Sequence, residues 1–171
     1  MDFDVLLKKK KKPVLVAYEN VFSSDEVDGL IGYLLNLRIL EWKQYTIRNN
    51  WIQPLLSTAF SYGRRYRYSG LEIDPYPINK HRTVFDLIEV RVQSVIRDLK
   101  DRELIPDDIP EKPDYWLGNL YMDGEHHISE HADDERDLCH KSPIISISLG
   151  AVRNFVVRKH KEIGTEKRER L

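Results

Sequence analysis

Seven apolar residues spaced for one face of a helix, Val84, Leu87, Ile88, Val92, Val95, Ile96 and Leu99, constrain this chain more than any other feature. They recur at three- and four-residue intervals, so a helix gathers them into one stripe and turns Arg91, Arg97 and Asp98 outward. Such a stripe must be buried against a second layer. Thr83 stands where the capping residue is expected. Prolines among acidic residues over 106–113 then end the helix in a surface connection. Beyond it the pattern changes: residues 116–122, 144–149 and 154–158 read as strands, with Asp123-Gly124 and Gly150-Ala151 as turn signals.

Upstream, residues 14–18 read as a short strand, and Ser23 with Glu26 makes a capping box ahead of Val27, Leu30, Ile31, Leu34 and Leu35 on one helical face. Residues 54–79 carry Gly63, Gly70 and prolines among aromatics, which suits short strands joined by tight turns. Helices with a few strands come first and strands alone follow, which predicts one α+β domain with helices packed on a sheet. The 171 residues, 41% of them hydrophobic, suffice for one core. The expected division is a basic tail over 1–13, a folded domain over 14–158, and a charged tail or cut hairpin loop over 159–171.

With 27 basic and 28 acidic residues the net charge is -1, so no global excess of positive charge points to a polyanion partner. Local charge has to carry that argument. The run Lys8 to Lys12 reads equally as an import address, a phosphate-binding arm or a solvated tail. Arg64-Arg65-Tyr66-Arg67-Tyr68 interleaves guanidinium groups with aromatics, a combination that stacks on bases, although an ordinary half-buried strand looks the same. Cys139 is the single cysteine, which excludes an internal disulfide and a cysteine-based zinc site and gives no reason to expect a disulfide-linked partner. Any metal must be held by His, Asp or Glu. No eighteen-residue apolar run occurs and the start lacks the pattern of a secretory signal, so an intracellular protein without a membrane partner is expected.

The chemistry concentrates in Asn119-Leu120-Tyr121-Met122-Asp123-Gly124-Glu125-His126-His127-Ile128-Ser129-Glu130-His131-Ala132-Asp133-Asp134-Glu135. On an extended backbone His131 and Asp133 leave the same face and can meet one cation, as two of the three donors of a 2-His-1-carboxylate iron site. By itself a His-x-Asp pair is a common accident. His126 and His127 read as loop residues, and His81, His140 and His160 have no motif around them.

In order and spacing this segment resembles the AlkB family of DNA and RNA dealkylating dioxygenases, with its Asn-x-Tyr strand, acidic-Gly turn and His-x-Asp-Asp-Glu stretch. The likeness continues through Ser142-Pro143-Ile144-Ile145-Ser146-Ile147-Ser148-Leu149-Gly150 and Arg153-Asn154-Phe155-Val156-Val157-Arg158. Upstream, Tyr62-Gly63 and Tyr66-Arg67-Tyr68-Ser69-Gly70 look like the family's nucleotide-recognition segment, followed by its proline-containing stretch at Pro75 and Pro77. Most of 14–158 is covered, and within the family the match is to the nuclear branch that repairs duplex DNA.

The resemblance implies a double-stranded β-helix, a jelly roll with N-terminal helices packed on the sheet, and a nuclear enzyme using Fe(II) and 2-oxoglutarate. It makes His131 and Asp133 iron ligands and Asn119 and Tyr121 contacts to 2-oxoglutarate. It puts Tyr66, Arg67, Tyr68 and Asp134 at the substrate, an alkylated base in DNA, with RNA as the second candidate. The implied reaction hydroxylates an N-alkyl group, which leaves as an aldehyde and restores the base. The family also has a distal histidine ligand and arginines that hold 2-oxoglutarate, neither of which is found here, so the sequence is expected to stop before the closing strands and to turn over poorly. Two other readings stay open: a degenerate family member that binds nucleic acid or a partner through Arg64, Arg65, Arg67 and the lysines, and a dioxygenase acting on a protein or a small molecule.

Overall fold

The computed structural model describes residues 2–9, 12–36, 38–47, 50–65, 67–68, 71–133, 138 and 142–157. Strand β1 (Asp2–Lys9) pairs antiparallel with β2 (Lys12–Glu19), Asp2 opposite Glu19. Where a basic tail is expected over 1–13, most residues thus lie in paired strands. Phe3, Val5 and Leu7 ahead of the lysines alternate as a strand does.

The capping box forms as read. In α1 (Ser24–Leu34) the Glu26 amide donates to Ser23 Oγ and the Ser23 amide donates to Glu26 Oε2 at 2.8 Å. At the other end Trp42 Nε1 donates to the Leu34 carbonyl at 2.8 Å, which satisfies one of the acceptors a helix terminus leaves over. Short strands follow: the hairpin β3 (Thr46–Ile47) with β4 (Trp51–Ile52), then β5 (Leu56–Ser61), the hairpin β6 (Arg67–Tyr68) with β7 (Leu71–Glu72), and β8 (Tyr76–Pro77). A 3-10 turn (Ile78–Lys80) leads into α2 (Arg82–Asp101), and β9 (Tyr115–Leu120) comes after the proline-rich connection.

The largest sheet runs β8-β5-β9. β5 is parallel to β8 and antiparallel to β9, in a register from Leu56 opposite Leu120 to Ser61 opposite Tyr115. The stripe of α2 is buried against it through Val84, Phe85, Ile88, Val92 and Ile96, which share a core with Leu30, Leu40, Phe60 and Ile78. The Phe60 and Phe85 rings lie 4.8 Å apart, and Phe85 meets Trp116 edge-on at 5.9 Å.

Three expectations need correction. α2 begins at Arg82, with His81 rather than Thr83 at the cap position and no side-chain cap bond. Residues 144–149 form no strand, although the alternation is right: Ile145, Ile147 and Leu149 pack on the core while their neighbours face out. Residues 154–157 form no strand either, and Arg158 lies outside the described residues. Apolar alternation chooses which side chains turn inward, but a strand also needs a partner backbone, and neither segment pairs with one. Among the described residues the strands make four small sheets, none of which closes into a barrel. No described helix is long and apolar enough to cross a membrane.

Packing makes two expected results specific. A Cβ on Gly118 would stand 3.0 Å from the Trp42 ring, which is tied to the Leu34 carbonyl, and 3.2 Å from Thr58 Cγ2, which lies opposite Gly118 in the β5–β9 pair. Gly118→Ala should therefore destabilise the protein by about 1–3 kcal/mol, read as a lower urea midpoint with an unchanged slope.

His81, 6% exposed, shares a hydrogen bond of 3.0 Å between Nδ1 and the Tyr33 hydroxyl and meets the Phe60 and Tyr76 rings at 5.4 Å. Burial lowers its pKa, with Lys80 adding to the effect. In the window from about 6.5 down to the lowered value the unfolded chain binds more protons than the folded one, so stability falls as pH falls. Above that window the contribution is complete. Unfolding midpoints measured across this range should lose that part of their slope in His81→Leu.

Candidate functional site

The segment after β9 is held by local polar bonds. Asp123 Oδ1 accepts from the Glu125 and His126 amides at 2.9 and 3.0 Å, which holds the Asp123 carboxyl below its usual pKa. The Met122 amide donates to His126 Nδ1 at 3.2 Å, and the His127 amide docks the loop by donating to the Pro54 carbonyl at 2.9 Å.

Four residues further on, His131 and Asp133 converge, with Nε2 3.5 Å from Oδ1. His131 Nδ1 lies 2.8 Å from the Ser129 carbonyl, an acceptor only, so Nδ1 carries the proton and Nε2 takes the donor role toward a cation. First-row metal bonds to imidazole and carboxylate are about 2.1 Å each, so donors at this separation fit one ion between them. An imidazole nitrogen and a carboxylate oxygen are also the donor types of a non-haem iron centre. Among the described residues no group of three His, Cys, Asp or Glu is gathered for a metal.

Beside this pair lies a cleft of about 140 Å³. Ile47, Trp51 and Leu55 wall it on one side, with His127, Ser129 and His131 on the other. Neither Asn119 nor Tyr121 lines it. Asn119 sits on β9 opposite Ser57, whose hydroxyl donates to Asn119 Oδ1 at 2.9 Å. Tyr121 is half-buried just past the strand end, and burial raises its pKa while Arg153 pulls it back. Of His131, Asp133, Asn119 and Tyr121, only His131 lines the cleft.

Of the residues expected at the substrate, Arg67 lies in β6 and donates to Glu72 Oε2 at 3.0 Å, while Arg65 donates to Glu72 Oε1 at 2.7 Å. These two, Arg67 first, hold the Glu72 carboxyl below its usual pKa. Arg64 pairs with Asp114 at 3.0 Å. All three guanidiniums remain largely exposed, so each can exchange its carboxylate for another anion. The Tyr68 backbone lies in β6. Tyr66, Asp134, His140 and His160 lie outside the described residues.

Two features escape sequence reasoning. Trp51 and Ile47 reach the cleft only because the β3–β4 hairpin folds beside the 127–131 loop, some eighty positions away. Arg153 stacks on the Tyr121 ring at 4.8 Å and binds the loop carbonyls of Asp123, at 2.9 Å, and His126. No spacing signal marks either one.

A fold of helices on a small sheet, with an imidazole and a carboxylate converging beside an apolar cleft, suits a metal-dependent oxygenase. The profile of the 2OG-Fe(II) oxygenase superfamily matches residues 15–171, and the chain belongs to that superfamily. Within it, the chain is 37% identical over 109 residues to the DNA oxidative demethylase ALKBH2 of Bos taurus, covering 64% of this chain and 34% of that protein. It is 39% identical over 100 residues to the Homo sapiens protein of the same name, covering 58% of this chain and 32% of the relative. The chain spans about a third of the length of the curated relatives it matches.

Proposed function

We propose that this protein is an AlkB-like Fe(II)/2-oxoglutarate-dependent dioxygenase that removes alkyl groups from the nitrogens of DNA bases. The observation that carries the reading is the convergence of His131 Nε2 and Asp133 Oδ1 at 3.5 Å, in a chain of this superfamily similar to DNA oxidative demethylases. A double-stranded β-helix for the whole protein and action on nuclear DNA belong to the same reading.

On this reading His131 and Asp133 hold the iron, and the Ser129 carbonyl fixes the His131 tautomer that does so. When bound, Fe(II) with 2-oxoglutarate supplies the oxidising power that no side chain has. Asn119 and Tyr121 contact 2-oxoglutarate. Ile47, Trp51 and Leu55 give the cleft beside His131 an apolar wall. A base inside a duplex must first be flipped out, at a cost of about a few kcal/mol, and Tyr66, Arg67, Tyr68 and Asp134 receive it by stacking and polar contacts.

The test supplies a duplex oligonucleotide carrying one N-methylated base together with Fe(II), 2-oxoglutarate and air. Mass spectrometry should find the unmodified base and an equal amount of succinate. Succinate without restored base would point to another substrate. Because poor turnover is expected without a distal histidine and arginines, the deciding assay uses a form of the protein that carries them, and the absence of both products from that form would refute the reading. Replacing Tyr66 and Tyr68 together by alanine should raise the KM for the oligonucleotide, since stacking contributes about 1–3 kcal/mol per base, and should leave metal affinity unchanged.

A further inference from the structure

We propose that Arg153 is a positioning residue that locks Tyr121 and the 123–126 turn together and so sets the path of the segment carrying His131 and Asp133. The inference deepens the proposed function and rests on it for the roles of Tyr121, His131 and Asp133. Its basis is geometric. The guanidinium of Arg153 lies 4.8 Å from the Tyr121 ring centre, Nη1 donates to the Asp123 carbonyl at 2.9 Å, and Nη2 donates to the His126 carbonyl.

These contacts join two parts of the chain that nothing local would bring together. The turn is already shaped by Asp123 Oδ1 and His126 Nδ1, and the His127 amide anchors its far side to the Pro54 carbonyl. Those bonds set the turn's shape and its inner attachment. Arg153 adds the outer one, from 27 and 30 residues further along the chain. A planar fork satisfies two carbonyls while its face covers an aromatic ring; a lysine ammonium offers the charge without the fork. Because Arg153 is exposed, its replacement removes these contacts without opening the core.

The direct test is backbone hydrogen exchange on the metal-free protein, comparing wild type with Arg153→Ala and Arg153→Lys. Peptides covering 121–131 should exchange about tenfold faster in Arg153→Ala and by an intermediate factor in Arg153→Lys, while β5 and α2 keep their protection. Calorimetry with redox-inert Mn(II) should show 2-oxoglutarate binding about tenfold weaker in Arg153→Ala, with a smaller loss in Arg153→Lys. Unchanged exchange over 121–131, equal acceleration across α2, or Arg153→Lys indistinguishable from wild type would each overturn the inference. If wild-type protein binds neither Mn(II) nor 2-oxoglutarate, the proposed function fails, and the exchange data still decide whether Arg153 holds the turn.

Discussion

Replacing His131 or Asp133 by alanine is expected to lower iron-dependent dealkylation by at least about a hundredfold, because losing partners that merely orient metal ligands already costs 10–100-fold. The two donor atoms stand 3.5 Å apart and act as one chelating unit. Removing either leaves a single monodentate group, so the double variant should be little worse than either single one. Asp133→Asn keeps an oxygen donor but loses its charge, and its activity should fall between wild type and Asp133→Ala. Both side chains are about one-third exposed, so none of these substitutions should lower the unfolding midpoint appreciably. Mn(II) affinity and turnover measured on the same preparations check the result. Full activity in His131→Ala would remove the site from this position.

Phe60→Ala should have the largest effect on stability, about 3–5 kcal/mol, and should unfold a substantial fraction of the protein at physiological temperature. Phe60 is 3% exposed on the central strand β5, with the rings of Phe85, His81 and Tyr76 at 4.8, 5.4 and 5.8 Å. It fills the space between sheet and α2, and rings held on β8, in α2 and at the cap of α2 cannot all collapse into the void. Urea unfolding should show a lower midpoint. Specific activity per folded molecule should be nearly unchanged, which separates this variant from the metal-site ones.

How legible each part was in the sequence follows from how local its cause is. The α1 cap could be read because Ser23 and Glu26 need only each other. The α2 stripe could be read because helical periodicity is a property of consecutive residues. The start of α2 could not, since the ring of His81 is committed to Tyr33, Phe60 and Tyr76, which lie 48, 21 and 5 residues away, and the helix begins without a side-chain cap. Arg64, Arg65 and Arg67 pair with Asp114 and Glu72, acidic partners that only folding selects.

At the candidate site the same division holds. The spacing of His131 and Asp133 predicts that they share a face, and their donor atoms do meet. Asn119 and Tyr121 are also two residues apart, but spacing does not say which cavity they line, and neither lines the cleft beside His131. Trp51 and Arg153 carry no periodic signal and reach the site through tertiary contacts alone.

One metal ion is expected between His131 and Asp133. The most direct measurement is anomalous diffraction from crystals of the protein grown with Mn(II) and 2-oxoglutarate. A single peak within about 2.0–2.3 Å of both His131 Nε2 and Asp133 Oδ1 is the expected result. A peak at other residues, or none in crystals of protein that binds Mn(II) in solution, would contradict it.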